Sequence, residues 1–312
     1  MLRRSVFSQS PAGRALKPLG VIGSERIASV SKWTWPFCRQ FTTIVHDATL
    51  AIPTSNPLHP SAAVFAQLKI NEKLLLNPPT DKYLNEHCKI EQVMKRMGFP
   101  VDHIKRQNLD ILDHNTDMVE QLSGALLEEK RIERHERQID YCAHSFLRLT
   151  GFAKDPFKIV ARGGKFDIFG KKCYSNADHY VADTRSNDLV LVFEDKSLQK
   201  DAVLAKHGHL GQIVGELLQM MSLNRGKETF RSVFAVRFIN YRVTAFRVCP
   251  SKATLDTLCD SRKVPTPPLQ LLCSEAQPLV NHGLSLIDPV ERMKALQLMA
   301  DIRRFIVNGM KK

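Results

Sequence analysis

The spacing of apolar positions changes character near residue 150. Upstream, Ile132, Ile139, Ala143 and Phe146 recur at spacings of 7, 4 and 3, which predicts a long helix over about 117–150 closed by Gly151 as its C-terminal cap. Downstream, the runs FKIVAR, KFDIFGKKCYS, ADHYVAD and LVLVFEDK are short, β-rich and punctuated by turn residues, and read as strands. A helix over about 201–224 follows, then the strands RSVFAVRFI and RVTAFRVC, separated by Asn240 and Tyr241, and finally a terminal helix in DPVERMKALQLMADIRRFIVNG. Helix, strands, helix and strands in this order predict an α/β core with a mixed sheet rather than a regular βαβ repeat.

The rest of the chain divides around that core. Residues 1–41 hold seven Lys and Arg against one Glu and are rich in Ser, the composition of a mitochondrial matrix presequence, and RQFTT at 39–43 suggests processing near Thr42. Residues 42–61 contain three prolines and read as a linker. A helical prelude spans 62–116, with short helices in AAVFAQLKINEKLLL and DKYLNEHCKIEQVMKRMG; the core covers 117–250, and 251–312 reads as a C-terminal helical extension.

The strand at 189–196 carries the chemistry. Side chains alternate along a strand, so Glu194 and Lys196 share one face with Val190 and Val192, while Asp195 shares the other with Leu191 and Phe193. The five residues TRSND make the preceding connection a hairpin, and pairing Asp183 with Leu189 places Asp178 across from Glu194. Cross-strand neighbours have Cβ atoms roughly 4.5–5.5 Å apart, close enough for two carboxylates to share a cation. Asp183 would lie on the order of 17 Å from that point, at about 3.4 Å per residue. Two carboxylates so close repel unless a cation joins them, and Mg²⁺ (or Mn²⁺) is a hard ion suited to carboxylate and phosphate oxygens. With Lys196 beside it, the pair outlines a site for phosphodiester hydrolysis. An ordinary exposed ion pair at a strand end is the alternative.

Charge and cysteine usage narrow the partners. Lys and Arg outnumber Asp and Glu by 45 to 32, a net charge of +13 that favours an anionic partner such as nucleic acid. The seven cysteines never form a CxxC pair, which suggests neither a disulfide framework nor a zinc site. No window approaches the roughly 18 uninterrupted apolar residues that a membrane span needs.

ADHYVAD followed by LVLVFEDKS resembles the PD-(D/E)XK nuclease superfamily, of restriction-endonuclease-like fold, over residues 125–250. Related domains occur in fungal and oomycete Crinkler-type proteins. The resemblance implies an α-β-β-β-α-β core, with Asp178 and Glu194 as metal ligands, the backbone carbonyl of Asp195 as another, and Lys196 as the catalytic lysine. It also implies an acid on the preceding helix. Glu136 is the candidate because it falls on the apolar stripe, with Glu129 and Glu133 as rivals and a snorkelling boundary residue as the bland reading. Ala177 replaces the usual proline.

On the following helix His209, Gln212 and Glu216 form one polar stripe, either a solvated face or a face of the site. The resemblance makes Gln212 the residue directed at the site. Lys206, His207 and His209 in the first turns, and Arg185 in the hairpin loop, are candidates for phosphate contacts. The expected activity is nucleic-acid hydrolysis, on DNA rather than RNA, by a monomer or a homodimer. The competing expectation is a binding protein on the same fold without catalysis, in which Arg162, Lys165, Lys171, Lys172 and Arg185 neutralise phosphates.

Overall fold

A computed structural model describes residues 38–47, 50, 56–70, 75, 101–130, 136–161, 164–196, 202–225, 232–260, 265–275 and 283–310, with side chains except at 101–109, 112, 128–130, 136, 171 and 202–209. Among the described residues it is an α/β structure with a large mixed sheet flanked by six helices. In chain order the elements are β1 (Thr42–His46), α1 (Pro60–Gln67), α2 (Val101–Lys130), α3 (Glu136–Leu149), β2 (Phe157–Val160), β3 (Gly164–Ile168), β4 (Lys171–Ser175), β5 (His179–Asp183) and β6 (Leu189–Lys196). There follow α4 (Ala202–Leu223), β7 (Val233–Ile239), β8 (Arg242–Val248), α5 (Lys252–Asp260), β9 (Leu269–Cys273), β10 (Leu284–Ser285) and α6 (Pro289–Met310). Among the described residues, no helix is long and apolar enough to cross a membrane.

The sheet runs β1-β9-β8-β7-β6-β5-β2, with β10 on β8. The β6–β7 and β1–β9 pairs are parallel and the others antiparallel. β7 is buried at every position, as expected of a strand covered on both faces. One face packs Leu191, Phe193, Phe234 and Phe238 against side chains of α1, α2, α3 and α6. The other packs Tyr180, Val192, Ala235 and Phe246 against α4, α5 and the β3–β4 hairpin.

Several expectations are corrected. The helix expected over 117–150 is two helices, α2 and α3, which pack against each other so that Ser145 Oγ donates to Asp117 Oδ2 at 2.6 Å. KFDIFGKKCYS is not one strand but a hairpin outside the main sheet, turned by Phe169 and Gly170 at φ 52° and 66°. Phe169 holds that backbone because its ring is fully buried, edge-on to Phe41 at 5.2 Å. The stretch assigned to a linker contains β1, and the C-terminal extension supplies β9 and β10 as well as helices. β1 and β9 complete each other as a parallel pair 227 residues apart, a partnership no local pattern announces. The second helix of the prelude falls outside the described residues.

Cys38 and Phe41 are fully buried in the α4-side core. A cut immediately before Thr42 would remove both, so full-length chain is the material of choice for experiments.

Gly151 does cap α3, at φ 85°, and a side chain in its place would run into the ring of His59 at the start of α1. Burial first, then Lys154 and Arg303, push His59 down to about 4. The unfolded chain takes up this proton near pH 6.5 and the folded chain only near 4, so stability is lost as pH falls through that window. We expect His59→Gln to flatten the urea-unfolding free energy between pH 7 and 4.5, with a difference from wild type of about 2 kcal/mol at the acid end. Parallel pH profiles of the two proteins would count against this protonation account.

Candidate functional site

β6 is hydrogen-bonded on both edges, to β5 and to β7, and covered on both faces, so the charged residues at its end are buried. Glu194 is 1% exposed and Asp195 2%. Charged groups survive such burial only when paired or bridged.

The hairpin register brings the partner acid to them. His179 pairs with Phe193, Tyr180 with Val192 and Val181 with Leu191, which sets Asp178 beside Glu194 as expected. The expected pairing of Asp183 with Leu189 is not observed: a bulge between Val181 and Ala182 shifts the register by one, and Leu189 pairs with Ala182. The bulge lies toward the loop end, so the register at the charged end is preserved.

Asp178, in the bend before β5, turns its carboxylate onto the end of β6. Its Oδ2 accepts the Asp195 amide at 2.9 Å and Lys196 Nζ at 3.4 Å. Lys196 Nζ also lies 2.5 Å from Glu194 Oε1 and donates to the Asp195 carbonyl at 2.6 Å. Three oxygens, from two carboxylates and one backbone carbonyl, thus converge on a single cationic nitrogen.

α4 closes this cluster from one face. Glu216, 1% exposed, turns its carboxyl toward Glu194, and burial first and the Glu194 charge second push it well above the usual carboxylate range. Burial also raises Glu194 to about 7, with Lys196 opposing the rise and Asp178 adding to it. The Glu194 and Glu216 carboxyls share a side-chain hydrogen bond. The set of Asp178, Glu194 and the Asp195 carbonyl is thus crowded around one ammonium, that of Lys196. Its hard oxygen donors, two carboxylates and a carbonyl, fit Mg²⁺ or Mn²⁺.

One turn further along α4, Gln219 is fully buried. It accepts a short hydrogen bond from Tyr180 Oη and donates from Nε2 to Gly164 O at 3.0 Å and Ser175 O at 3.1 Å. Tyr180 Oη in turn accepts the amide of Ala177, the residue before Asp178, at 3.3 Å. A chain of buried hydrogen bonds thereby holds the backbone that carries Asp178.

The structure gathers Asp178, Glu194, Asp195 and Lys196. Gln212 is half-buried on α4, one turn before Glu216. Arg185 is not part of the cluster: it sits at the far end of the hairpin, bound to Asp183 Oδ1 at 3.3 Å. The side chains of Glu136, Lys206, His207 and His209 lie outside those described, as do those of the rivals Glu129 and Glu133. The α3 acid seen at the strand ends is Asp140, 2.9 Å from His179 Nε2. Glu216 was visible in the sequence as the last member of the polar stripe; Gln219, inside the apolar run LLQMM, carried no comparable signal. No protein-family model, curated protein or solved structure matches the chain.

Proposed function

We propose that the chain is a divalent-metal-dependent nuclease hydrolysing phosphodiester bonds of nucleic acid, DNA rather than RNA. The observation that carries this reading is the convergence of Asp178 Oδ2, Glu194 Oε1 and the Asp195 carbonyl on Lys196 Nζ. The element order α3, β2, β5, β6, α4, β7, with the β3–β4 hairpin inserted, accords with a restriction-endonuclease-like core. The net charge of +13 suits a polyanionic substrate, and the basic, Ser-rich composition at the N-terminus suits the mitochondrial matrix as its location.

Asp178, Glu194 and the Asp195 carbonyl would hold the cation, which supplies charge neutralisation of the phosphodiester and acidification of water. Lys196 orients the attacking water by hydrogen bonding and stabilises the negative charge that gathers on the phosphoryl oxygens. Burial favours the protonated forms of Glu216 and Asp195, so the site presents less negative charge to an incoming phosphate than its four carboxyls suggest. Tyr180 and Gln219 hold the Asp178 backbone in register.

The position of Lys196 also favours a second reading, in which the ammonium permanently takes the cation's place and the protein only binds nucleic acid. Incubating the full chain with labelled single- and double-stranded DNA and RNA in Mg²⁺, Mn²⁺ or EDTA separates the two. We expect metal-dependent cutting of DNA that Asp178→Asn abolishes. Salt-sensitive binding without cutting in either metal would leave the binding protein as the surviving reading.

A further inference from the structure

The opposite face of the same strand end holds a second cluster that the proposed hydrolysis leaves unused. Asp140 from α3, His179 from β5 and Asp195 from β6 each direct one donor atom to a common point, the three atoms lying within 4.8 Å of one another. Asp140 Oδ1 and His179 Nε2 are already 2.9 Å apart. Asp195 is 2% exposed, and its Oδ2 is buried with no hydrogen-bond partner among the described residues. An unpartnered buried carboxylate oxygen is costly, and here it belongs to a carboxylate that faces an imidazole and a second carboxylate.

We propose that Asp140, His179 and Asp195 form a binding site for one first-row transition-metal dication of the Mn²⁺ or Zn²⁺ class. Metal–ligand bonds of about 2.0–2.2 Å place neighbouring donors roughly 3 Å apart, as Asp140 and His179 stand; side-chain rotation brings Asp195 to the same spacing. An imidazole with two carboxylates selects transition metals over Mg²⁺, which prefers oxygen and retained water. Access is from the α3 side, where the Asp140 side chain is 44% exposed against 14% for His179. Asp195 links the two clusters, giving its backbone oxygen to one and its carboxylate to the other, but the site does not depend on phosphodiester cleavage.

The test is Mn²⁺ binding by the chelator-stripped full chain, followed by pulsed EPR, which reads nitrogen coupling when an imidazole ligates the ion. We expect a nitrogen-coupled Mn²⁺ signal that Zn²⁺ displaces at lower concentration than Mg²⁺ does. It should be lost in His179→Gln and weakened at least tenfold in Asp140→Asn, an isosteric change at a half-exposed position. Glu194→Gln should retain it, even though that change removes a ligand of the proposed hydrolytic site. Absence of nitrogen coupling in the wild type, its persistence in His179→Gln, or its loss in Glu194→Gln would each overturn the assignment. A chain that cuts nothing but shows the coupled signal would refute the nuclease reading alone.

Discussion

Replacing Glu194 by Gln should reduce metal-dependent cleavage by about 100- to 1000-fold while leaving the metal-free protein at least as stable as the wild type. The two halves of this result have one cause. Glu194 is 1% exposed, and burial outweighs the help that Lys196 gives its carboxylate, so the charge is maintained against the preference of its surroundings. A neutral amide of the same shape removes that penalty, and Lys196 Nζ keeps Asp178 Oδ2 and the Asp195 carbonyl as partners. The cleavage site, however, loses one of its two carboxylate ligands. Rates measured in Mg²⁺ alongside thermal melts in EDTA check both halves. A variant that melts well below wild type would show that the Glu194–Lys196 pair serves stability rather than chemistry.

The second large effect concerns stability. Gln219→Leu should cost about 3 kcal/mol in urea unfolding, because it strands Tyr180 Oη, Gly164 O and Ser175 O in a dry interior. Unsatisfied buried groups cost about 1–3 kcal/mol each, and the apolar gain of leucine offsets part of the sum. Tyr180→Phe removes one of those stranded groups, so the double variant should lose less than the two single changes together. Additive losses would mean that the tyrosine and glutamine do not act as a unit. Because Tyr180 Oη also fixes Ala177, Tyr180→Phe should slow cleavage through a displaced Asp178.

What could be foreseen from the sequence follows from how local each determinant is. Alternation along LVLVFEDK separated Glu194 and Lys196 from Asp195, and a short loop brought Asp178 across, because pleat and hairpin geometry act over a few residues. The bulge at Val181 and Ala182 escaped that reasoning; it left the outcome intact only because it lies on the loop side of the charged end. Gln219 and Tyr180 were hidden for a different reason: each sits in a run that burial alone explains, and their purpose is visible only when α4 lies on the β3–β4 hairpin. Asp140 and His179 come from separate elements, so their proximity is a property of the assembled layers. The strands β1 and β9 are five residues each and flanked by proline-containing segments, which makes them read as connections until the sheet supplies their partners.

The central claim is that the cluster of Asp178, Glu194 and Lys196 cleaves phosphodiesters. Single-turnover cleavage of a labelled DNA duplex by full-length wild type and Lys196→Ala, each at saturating protein in Mg²⁺, tests it most directly. The account predicts that both proteins bind the duplex, that the wild type cuts it and stops on addition of EDTA, and that Lys196→Ala cuts about 100- to 1000-fold more slowly. Equal rates for the two proteins, or cutting that persists in EDTA, would contradict it.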